Sequence, residues 1–234
     1  RNDKPEEFNK AVRSYRKLLA ELPPHKDVSQ RAIDYEVFFN NWDPSLYAWI
    51  LYIVGFLLAA LAWLGWSRPL NRAAFWLTLF TFTLHTYYLI SRIYISGRPP
   101  VTNLYSSAVF IGWACLALGL ILEVLFRNGV GNIIATVAGF ATLFISFKLA
   151  GAGEQGTVMQ FWLATHVTSI TIGYATTFLA GLLGLFYILC GVLTPRLTQP
   201  LAKDVSRMIY GTLCFAMFFS FVGTVLGGLW ADDS

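Results

Sequence analysis

The sequence predicts an all-α fold, a polytopic bundle of about six transmembrane helices preceded by a short soluble helical region. Hydrophobic residues make up 56% of the 234 residues and charged residues only 13%, which is too apolar for an ordinary soluble domain. Six apolar stretches are each about long enough to cross a bilayer as a helix. Several tryptophans lie near the ends of these stretches, as in the aromatic belts of membrane proteins.

Residues 1–44 are predicted to form an amphipathic helical region outside the membrane. Asp3 and Glu6 have the spacing of a capping box at the start of a first helix, and the proline pair at 23–24 ends that helix. A second amphipathic helix is expected from Lys26 to Asn41. This region looks like a docking or interfacial element, and it holds no cluster of residues that carries chemistry.

The first membrane helix is predicted to begin at a Trp-Asp-Pro triplet, with Asp43 as its cap and Pro44 in the first helical position. Residues 45–234 are expected to form one transmembrane domain. We expect this domain to be incomplete at its C-terminal end, because the chain stops directly after an apolar helix. The six predicted segments are approximately Ser45–Trp66, Ala73–Ile95, Tyr105–Phe126, Asn132–Ala150, Gln160–Cys190 and Met208–Trp230.

Lysine and arginine residues in the loops predict the orientation of the bundle, because cytoplasmic loops carry an excess of them. Six basic residues lie in one set of loops and three in the opposite set. The richer set is Arg68, Arg72, Arg127, Arg196, Lys203 and Arg207, and the poorer set is Arg92, Arg98 and Lys148. The N-terminal region and the C-terminal end of the chain are therefore expected on the outer side of an inner (plasma) membrane.

Several function classes are disfavoured by what the sequence lacks. The sequence contains no run of basic residues with interleaved aromatic residues, the pattern that would indicate nucleic-acid binding. No CxxCH is present, so the chain is not itself a c-type cytochrome. The cysteines form no CxxC pair and are interpreted as buried packing residues, namely Cys115, Cys190 and Cys214. Three charged residues near segment ends are interpreted as flanking side chains that reach the membrane surface, namely Arg92, Lys148 and Glu123.

The long uncharged stretch from Gln160 to Cys190 holds the first candidate site residue, His166. At helical spacing it shares a stripe with Ser169, Gly173, Thr177, Ala180 and Gly184. Such a stripe lets a neighbouring helix approach closely, so we expect this segment at the centre of the bundle. An ionisable group in a membrane helix is a candidate for function. The alternative is an interfacial histidine that is hydrogen-bonded to a loop carbonyl.

His85 is the second candidate, and it lies roughly 18 Å into its segment at ~1.5 Å per helical residue, close to mid-membrane. The same stripe carries Thr78, Thr81, Tyr88 and Arg92. Either the imidazole has a function within the membrane, or it is a packing histidine that is hydrogen-bonded to a threonine of a neighbouring helix.

Three stretches resemble one known family. The segment SGRPPVTNLY, from Ser96 to Tyr105, contains a helix end, a proline turn and a helix start at Thr102 or Asn103. It is similar to a motif of the cytochrome c assembly family, specifically of the CcsA (ResC) membrane subunit of the System II cytochrome c synthase. FWLATHVTSITIGYA and FVGTVLGGLWA resemble two further motifs of that family in the same order. One departure is Ser106, where many relatives have glutamate.

The resemblance implies haem handling and delivery for the maturation of c-type cytochromes. Haem b would be the transported substrate, held at the outer membrane face for attachment to the CxxCH of apocytochrome c. His166 stands at the family's first external histidine and would be an axial ligand of the haem iron. The family's tryptophan-rich segment and second external histidine would follow Ser234. The other residues implied near the haem are Trp162, Asn103, Arg98 and, as a contact within the membrane, His85.

The resemblance also implies partners. The chain would be part of a cytochrome c synthase (haem lyase) complex and not a hydrolase. Its partners would be a CcsB/ResB-type membrane subunit, apocytochrome c, a thioredoxin-like thiol reductant and the lipid bilayer. Two other functions stay open: a membrane b-type electron-transfer subunit with one haem between His85 and His166, and a transporter of another solute. The first is disfavoured because the two histidines are predicted at different depths.

Reporter fusions test the predicted orientation. An enzyme that is active only in the cytoplasm should work when it is inserted near Gln199 and should be silent when it is fused after Ser234, because the loop charges place these positions on opposite sides. The reverse pattern of activity would overturn the orientation.

Overall fold

The structure is a computed structural model that describes residues 5–21, 30–65, 67–149 and 161–233. Within these ranges the chain forms α-helices and no strand, and six helical stretches are long and apolar enough to cross a membrane, the first of them made by α2 and α3 together. The predicted all-α fold with six membrane segments is confirmed. The helices are α1 (Pro5–Glu21), α2 (Gln30–Trp42), α3 (Pro44–Trp63), α4 (Ser67–Ser96), α5 (Leu104–Phe126), α6 (Val130–Leu149), α7 (Phe161–Leu193) and α8 (Gln199–Asp233).

The helices α2 and α3 meet at Asp43, which has a left-handed backbone conformation with φ 42° and ψ 69°. Its N–H donates to the carbonyl oxygen of Phe39 and closes α2, while Pro44 begins α3 as predicted. The prediction that the Asp43 side chain caps α3 is wrong, because its carboxylate accepts a hydrogen bond of 2.6 Å from the Ser45 hydroxyl instead. A capping side chain requires an extended backbone at that position, and a left-handed residue is typical of a helix end.

Tyrosine side chains attach α2 to α4. The hydroxyl of Tyr35 donates to that of Tyr87 at 2.9 Å and shares a hydrogen bond of 2.6 Å with the hydroxyl of Ser91. The predicted second helix is therefore confirmed from residue 30 onward, and it packs against the membrane helices. Asp3, on which the predicted capping box of α1 depends, lies outside the described residues.

Among the described membrane helices, α6 is the most enclosed, with 12 of its 20 residues buried against 8 of the 33 residues of α7. Small residues let its neighbours come close. A Cβ atom at Gly139 would lie 2.6 Å from the Tyr52 ring of α3, and one at Gly119 of α5 would lie 2.6 Å from Ala135. The prediction that α7 lies at the centre of the bundle is wrong, because one face of this helix is exposed and carries large residues such as Tyr174.

The helices α7 and α8 form an antiparallel pair whose contact is made by small residues. A Cβ atom at Gly173 would lie 2.6 Å from the Ser220 hydroxyl oxygen, and one at Gly223 would lie 2.9 Å from the backbone nitrogen of Ile170. The predicted close approach along the small-residue stripe is thus confirmed at Gly173. It does not extend to Gly184, where a Cβ atom would meet nothing within 4 Å.

Two predicted side-chain environments are wrong. Two of the three cysteines are buried as predicted, but Cys214 is exposed on α8. Glu123 does not extend to the membrane surface; it is 4% exposed and accepts hydrogen bonds from the Asn71 side chain at 2.8 Å and the Gly129 N–H at 3.1 Å. These donors offset the cost of burying a carboxylate.

Replacement of Gly173 by leucine should destabilise the α7–α8 pair, because the new side chain collides with Ser220. Overpacking of this kind typically costs about 1–3 kcal/mol. The yield and thermal midpoint of the purified protein in detergent measure the effect. Gly181→Leu on the same helix is the matched control, since a Cβ atom there meets nothing within 4 Å. Equal stability of the two variants would contradict the close packing of α7 on α8.

Candidate functional site

His166 lies in the second turn of α7, and its ring is hydrogen-bonded to α8. Nδ1 is 2.6 Å from the carbonyl oxygen of Gly223. A carbonyl oxygen can only accept, so Nδ1 carries the proton and donates it. In the neutral imidazole the other nitrogen, Nε2, then presents its lone pair. Among the described residues Nε2 has no hydrogen-bond partner.

Gly227, one turn beyond Gly223, provides the space for this ring. A Cβ atom at Gly227 would lie 2.7 Å from Cε1 and 2.9 Å from Nδ1 of His166, so the imidazole lies directly against the backbone of α8. The ring is half-buried. The alternative interpretation predicted a hydrogen bond from His166 to a loop carbonyl. The acceptor is instead a carbonyl of a neighbouring membrane helix, α8.

Trp162 lies one turn before His166, at the start of α7. Its side chain is 39% exposed, and its ring meets that of Phe161 edge-to-face with centroids 5.5 Å apart. Val167, next to His166, packs against the core cluster that includes Val101. The first turns of α7 therefore combine an aromatic surface with a histidine of fixed orientation.

Asn103 caps α5. Its side-chain oxygen accepts a hydrogen bond of 2.8 Å from the Ser106 N–H, and the Ser106 hydroxyl accepts one of 2.9 Å from the Asn103 N–H. This reciprocal pair is a capping box, and it accounts for the departure at Ser106: serine here makes the bond to the cap residue that a glutamate makes in a standard box. Arg98 and Asn103 line the same small cavity.

His85 is completely buried in the core. Its Nδ1 shares a hydrogen bond of 2.6 Å with the hydroxyl of Tyr52, which is also fully buried. The partner is therefore a tyrosine of α3, where the sequence suggested a threonine. Nε2 has no hydrogen-bond partner among the described residues, although the backbone of Val109 lies near the ring. A Cβ atom at Gly112 would lie 3.3 Å from Cε1, so α5 encloses the other side of the ring.

An aromatic cavity of about 380 Å³ lies at the end of the bundle where α3 and α5 begin. The guanidinium of Arg92 lies 4.9 Å from the ring centre of Tyr105 at this cavity, and the indole N–H of Trp49 has no hydrogen-bond partner in the described part of the chain. No motif signals this cavity, because its walls come from five helices. The aromatic wall residues are Phe39, Trp49, Tyr88, Tyr105, Phe144 and Phe147.

The predicted site residues fall into three places. Trp162 and His166 share the start of α7. Arg98 and Asn103 share the turn between α4 and α5. His85 lies between α3 and α5 and does not share the α8 contact of His166, so the structure does not place the two histidines at one site.

Three residues that fix the histidine rings were not predicted from the sequence: Tyr52, Gly223 and Gly227. A tyrosine partner from another helix has no sequence signal. Gly223 and Gly227 do have a sequence signal, because their GxxxG spacing is typical of close helix pairs in membranes.

These features define a class: a multi-pass membrane protein with one half-buried imidazole of fixed tautomer near the end of a membrane helix. Within the described residues no group of three or more His, Cys, Asp or Glu side chains could hold a bare metal ion. No described carboxylate is hydrogen-bonded to His166, so the arrangement of a general base with an acidic partner is not formed. A single oriented imidazole suits axial ligation of a metal that a larger group already holds.

The chain belongs to the cytochrome c assembly protein family, whose profile matches residues 101–234, more than half of the sequence. It is 29% identical over 161 residues to Protein NrfI of Wolinella succinogenes, covering 65% of this chain and 18% of NrfI. It is 26% identical to the cytochrome c biogenesis protein CcsA of Chlamydomonas reinhardtii (59% of this chain, 43% of CcsA). Protein HemX of Bacillus subtilis is also 26% identical (59% and 52%). The chain thus spans about half the length of these relatives or less.

Proposed function

We propose that this protein handles haem during the maturation of c-type cytochromes, and that His166 supplies one axial ligand to haem at the outer face of an inner (plasma) membrane. The observation that carries the proposal is the hydrogen bond from Nδ1 of His166 to Gly223. It leaves Nε2 as the nitrogen that can bind iron, and neutral imidazole is a standard axial ligand of haem. Membership of the cytochrome c assembly family supports haem as the cargo.

The residues around His166 fit such a ligand. Donation of the Nδ1 proton to a backbone carbonyl fixes the tautomer and ring orientation and raises the basicity of the other nitrogen, as is usual for metal-binding histidines. The absence of a side chain at Gly227 keeps the ring seated on α8. Trp162 adds an exposed aromatic surface at the same end of α7, where a flat macrocycle can pack.

Haem b, as cargo, supplies the iron that His166 would bind and two vinyl groups. The thiols of an apocytochrome CxxCH motif would be joined to these vinyl groups as thioethers. The thiols must be reduced for this step, so the proposal includes a thioredoxin-like reductant. One histidine fills only one axial position, so the second ligand comes from elsewhere in the assembled protein. A CcsB/ResB-type membrane subunit is the proposed partner, within a complex that acts as a haem lyase.

The other predicted site residues have distinct proposed parts. Arg98, in the turn before α5, suits a haem propionate by charge. Asn103 positions that turn through its capping box with Ser106. A contact between haem and His85 stays a prediction, and such a contact requires the enclosing side chains to move, because the ring has no exposed surface.

The two alternative functions gain no support from the described residues. A single b-type haem between His85 and His166 requires the rings to face one space, whereas His85 is bonded to α3 and His166 to α8. A solute pathway along α4 requires polar groups that are free to bind the solute, whereas the hydroxyls of Thr78 and Thr81 donate to carbonyls of their own helix.

Replacement of His166 by alanine in the complete protein should shift or abolish the haem absorption bands and stop the attachment of haem to a CxxCH partner. Folding should stay nearly intact, because the ring is half-buried and near a helix end. Absorption spectra of the purified protein and haem staining of cellular c-type cytochromes measure the two effects. His85→Ala is the control, which should weaken packing without removing this ligand. Unchanged spectra together with normal cytochrome maturation in His166→Ala would show that the residue is not the ligand.

Neighbouring glycines on α8 separate the orientation of His166 from general packing. Gly227→Ala should shift the haem bands, because its methyl group collides with the imidazole, whereas a Cβ atom at Gly228 meets nothing within 4 Å. Gly228→Ala should therefore keep the wild-type spectrum. Identical spectra for the two variants would mean that the contact with α8 does not orient the ligand.

A further inference from the structure

A third cavity lies at the end of the bundle opposite to His166, where α3 and α5 end and α4 begins. It has a volume of about 790 Å³, and we call it the inner basin. Three guanidinium groups line it, together with one carboxylate and apolar walls. The residues that matter here are Trp63, Arg68, Arg72, Phe75, Glu123 and Arg127.

The carboxylate that lines the inner basin forms no ion pair with the arginines in the described part of the chain. Oε1 of Glu123 accepts hydrogen bonds from Asn71 and from the backbone of Gly129, and the positive end of α6 lies next to it. Within the described residues no ion pair joins Glu123 to any of the three arginines. Its other oxygen, Oε2, is buried and has no hydrogen-bond partner among these residues. The basin therefore offers three guanidinium groups that are not ion-paired with Glu123.

The arginines of the inner basin differ from an arginine with a structural role nearby. Arg196 donates to the carbonyl oxygens of Trp63 and Leu64 at 2.9 and 2.7 Å and so caps the end of α3. Arg68 and Arg72 make no such bond to any described residue. Arg127 has a left-handed backbone of φ 53°, and among the described residues its guanidinium donates only through Nε, at 3.3 Å to the Val124 carbonyl oxygen of the helix it ends.

We propose that the inner basin binds the head group of an anionic phospholipid of the phosphatidylglycerol type. Its phosphate lies among the guanidinium groups, which match phosphate oxygens in geometry and charge. A lipid fits better than a free phosphate, because the basin is also lined by Trp63 at the end of α3 and by Phe75 further along α4. Basic pockets between such helices on the cytoplasmic side are typical sites for anionic head groups. This site is independent of the proposed haem function.

A thermal titration of the purified complete protein in neutral detergent tests the proposal. The probes are dioleoyl-phosphatidylglycerol, dioleoyl-phosphatidylethanolamine and inorganic phosphate at equal concentrations. Phosphatidylglycerol should raise the thermal midpoint by about 2–4 °C, because a ligand that binds only the folded state stabilises it. The other two probes should not. An equal shift with inorganic phosphate would show a general anion site, and an equal shift with phosphatidylethanolamine would show no head-group selectivity; either result overturns the proposal.

Variants of exposed arginines locate the effect. Arg72→Gln and Arg127→Gln should each lose most of the shift with phosphatidylglycerol, and their folding should be intact because both side chains are exposed. Arg207→Gln is the matched control, since Arg207 is an exposed arginine of the same predicted membrane side outside the inner basin. A shift that persists in both basin variants, or that is lost equally in Arg207→Gln, would overturn the assignment of the site.

Discussion

The orientation of His166 depends on the close approach of α7 and α8. Membrane helices gain no hydrophobic energy from association with each other in lipid, so their contacts depend on packing and hydrogen bonds between close backbones. Gly173, Gly223 and Gly227 remove the side chains that would keep the two helices apart. The carbonyl of Gly223 then comes within 2.6 Å of the imidazole, and the tautomer that leaves Nε2 unprotonated follows from this contact.

The rest of the core meets a related requirement. A buried polar group in a membrane needs a hydrogen-bond partner inside the protein. Most buried threonines meet it within their own helix: the hydroxyls of Thr78, Thr136 and Thr142 each donate to the carbonyl four residues earlier. His85 meets it through Tyr52 on another helix. Polar stripes on these helices therefore stabilise packing, and they do not by themselves indicate a path for a solute.

The helices could be predicted from the sequence because hydrophobic length decides them. All six membrane segments were found, and Pro44 marks the start of α3 in both the prediction and the structure. Asp43 was predicted as a cap because of its residue type, but its left-handed backbone turned the side chain towards Ser45. A residue type indicates the end of a helix, whereas the local backbone conformation decides which of two adjoining helices it serves.

The candidate site was predicted only in part, because its geometry depends on contacts between distant parts of the chain. The position and stripe of His166 could be predicted from spacing, but its partner Gly223 lies 57 residues away. The centre of the bundle was misplaced for the same reason: the stripe on α7 faces α8, and the small residues of α6 pack against α3 and α5. The buried environment of Glu123 could not be predicted, because Asn71, which donates to it, belongs to another helix.

The protonation state of His166 tests the central claim most directly. Nitrogen-15 NMR of histidine-labelled protein without haem can distinguish the two neutral tautomers, and the His166→Ala variant identifies the signal of this residue. The hydrogen bond to Gly223 predicts a ring with the proton on Nδ1 and a bare Nε2 at a pH where the imidazole is neutral. A signal from His166 with the proton on Nε2 would contradict the hydrogen bond and, with it, the orientation of the ring towards a ligand.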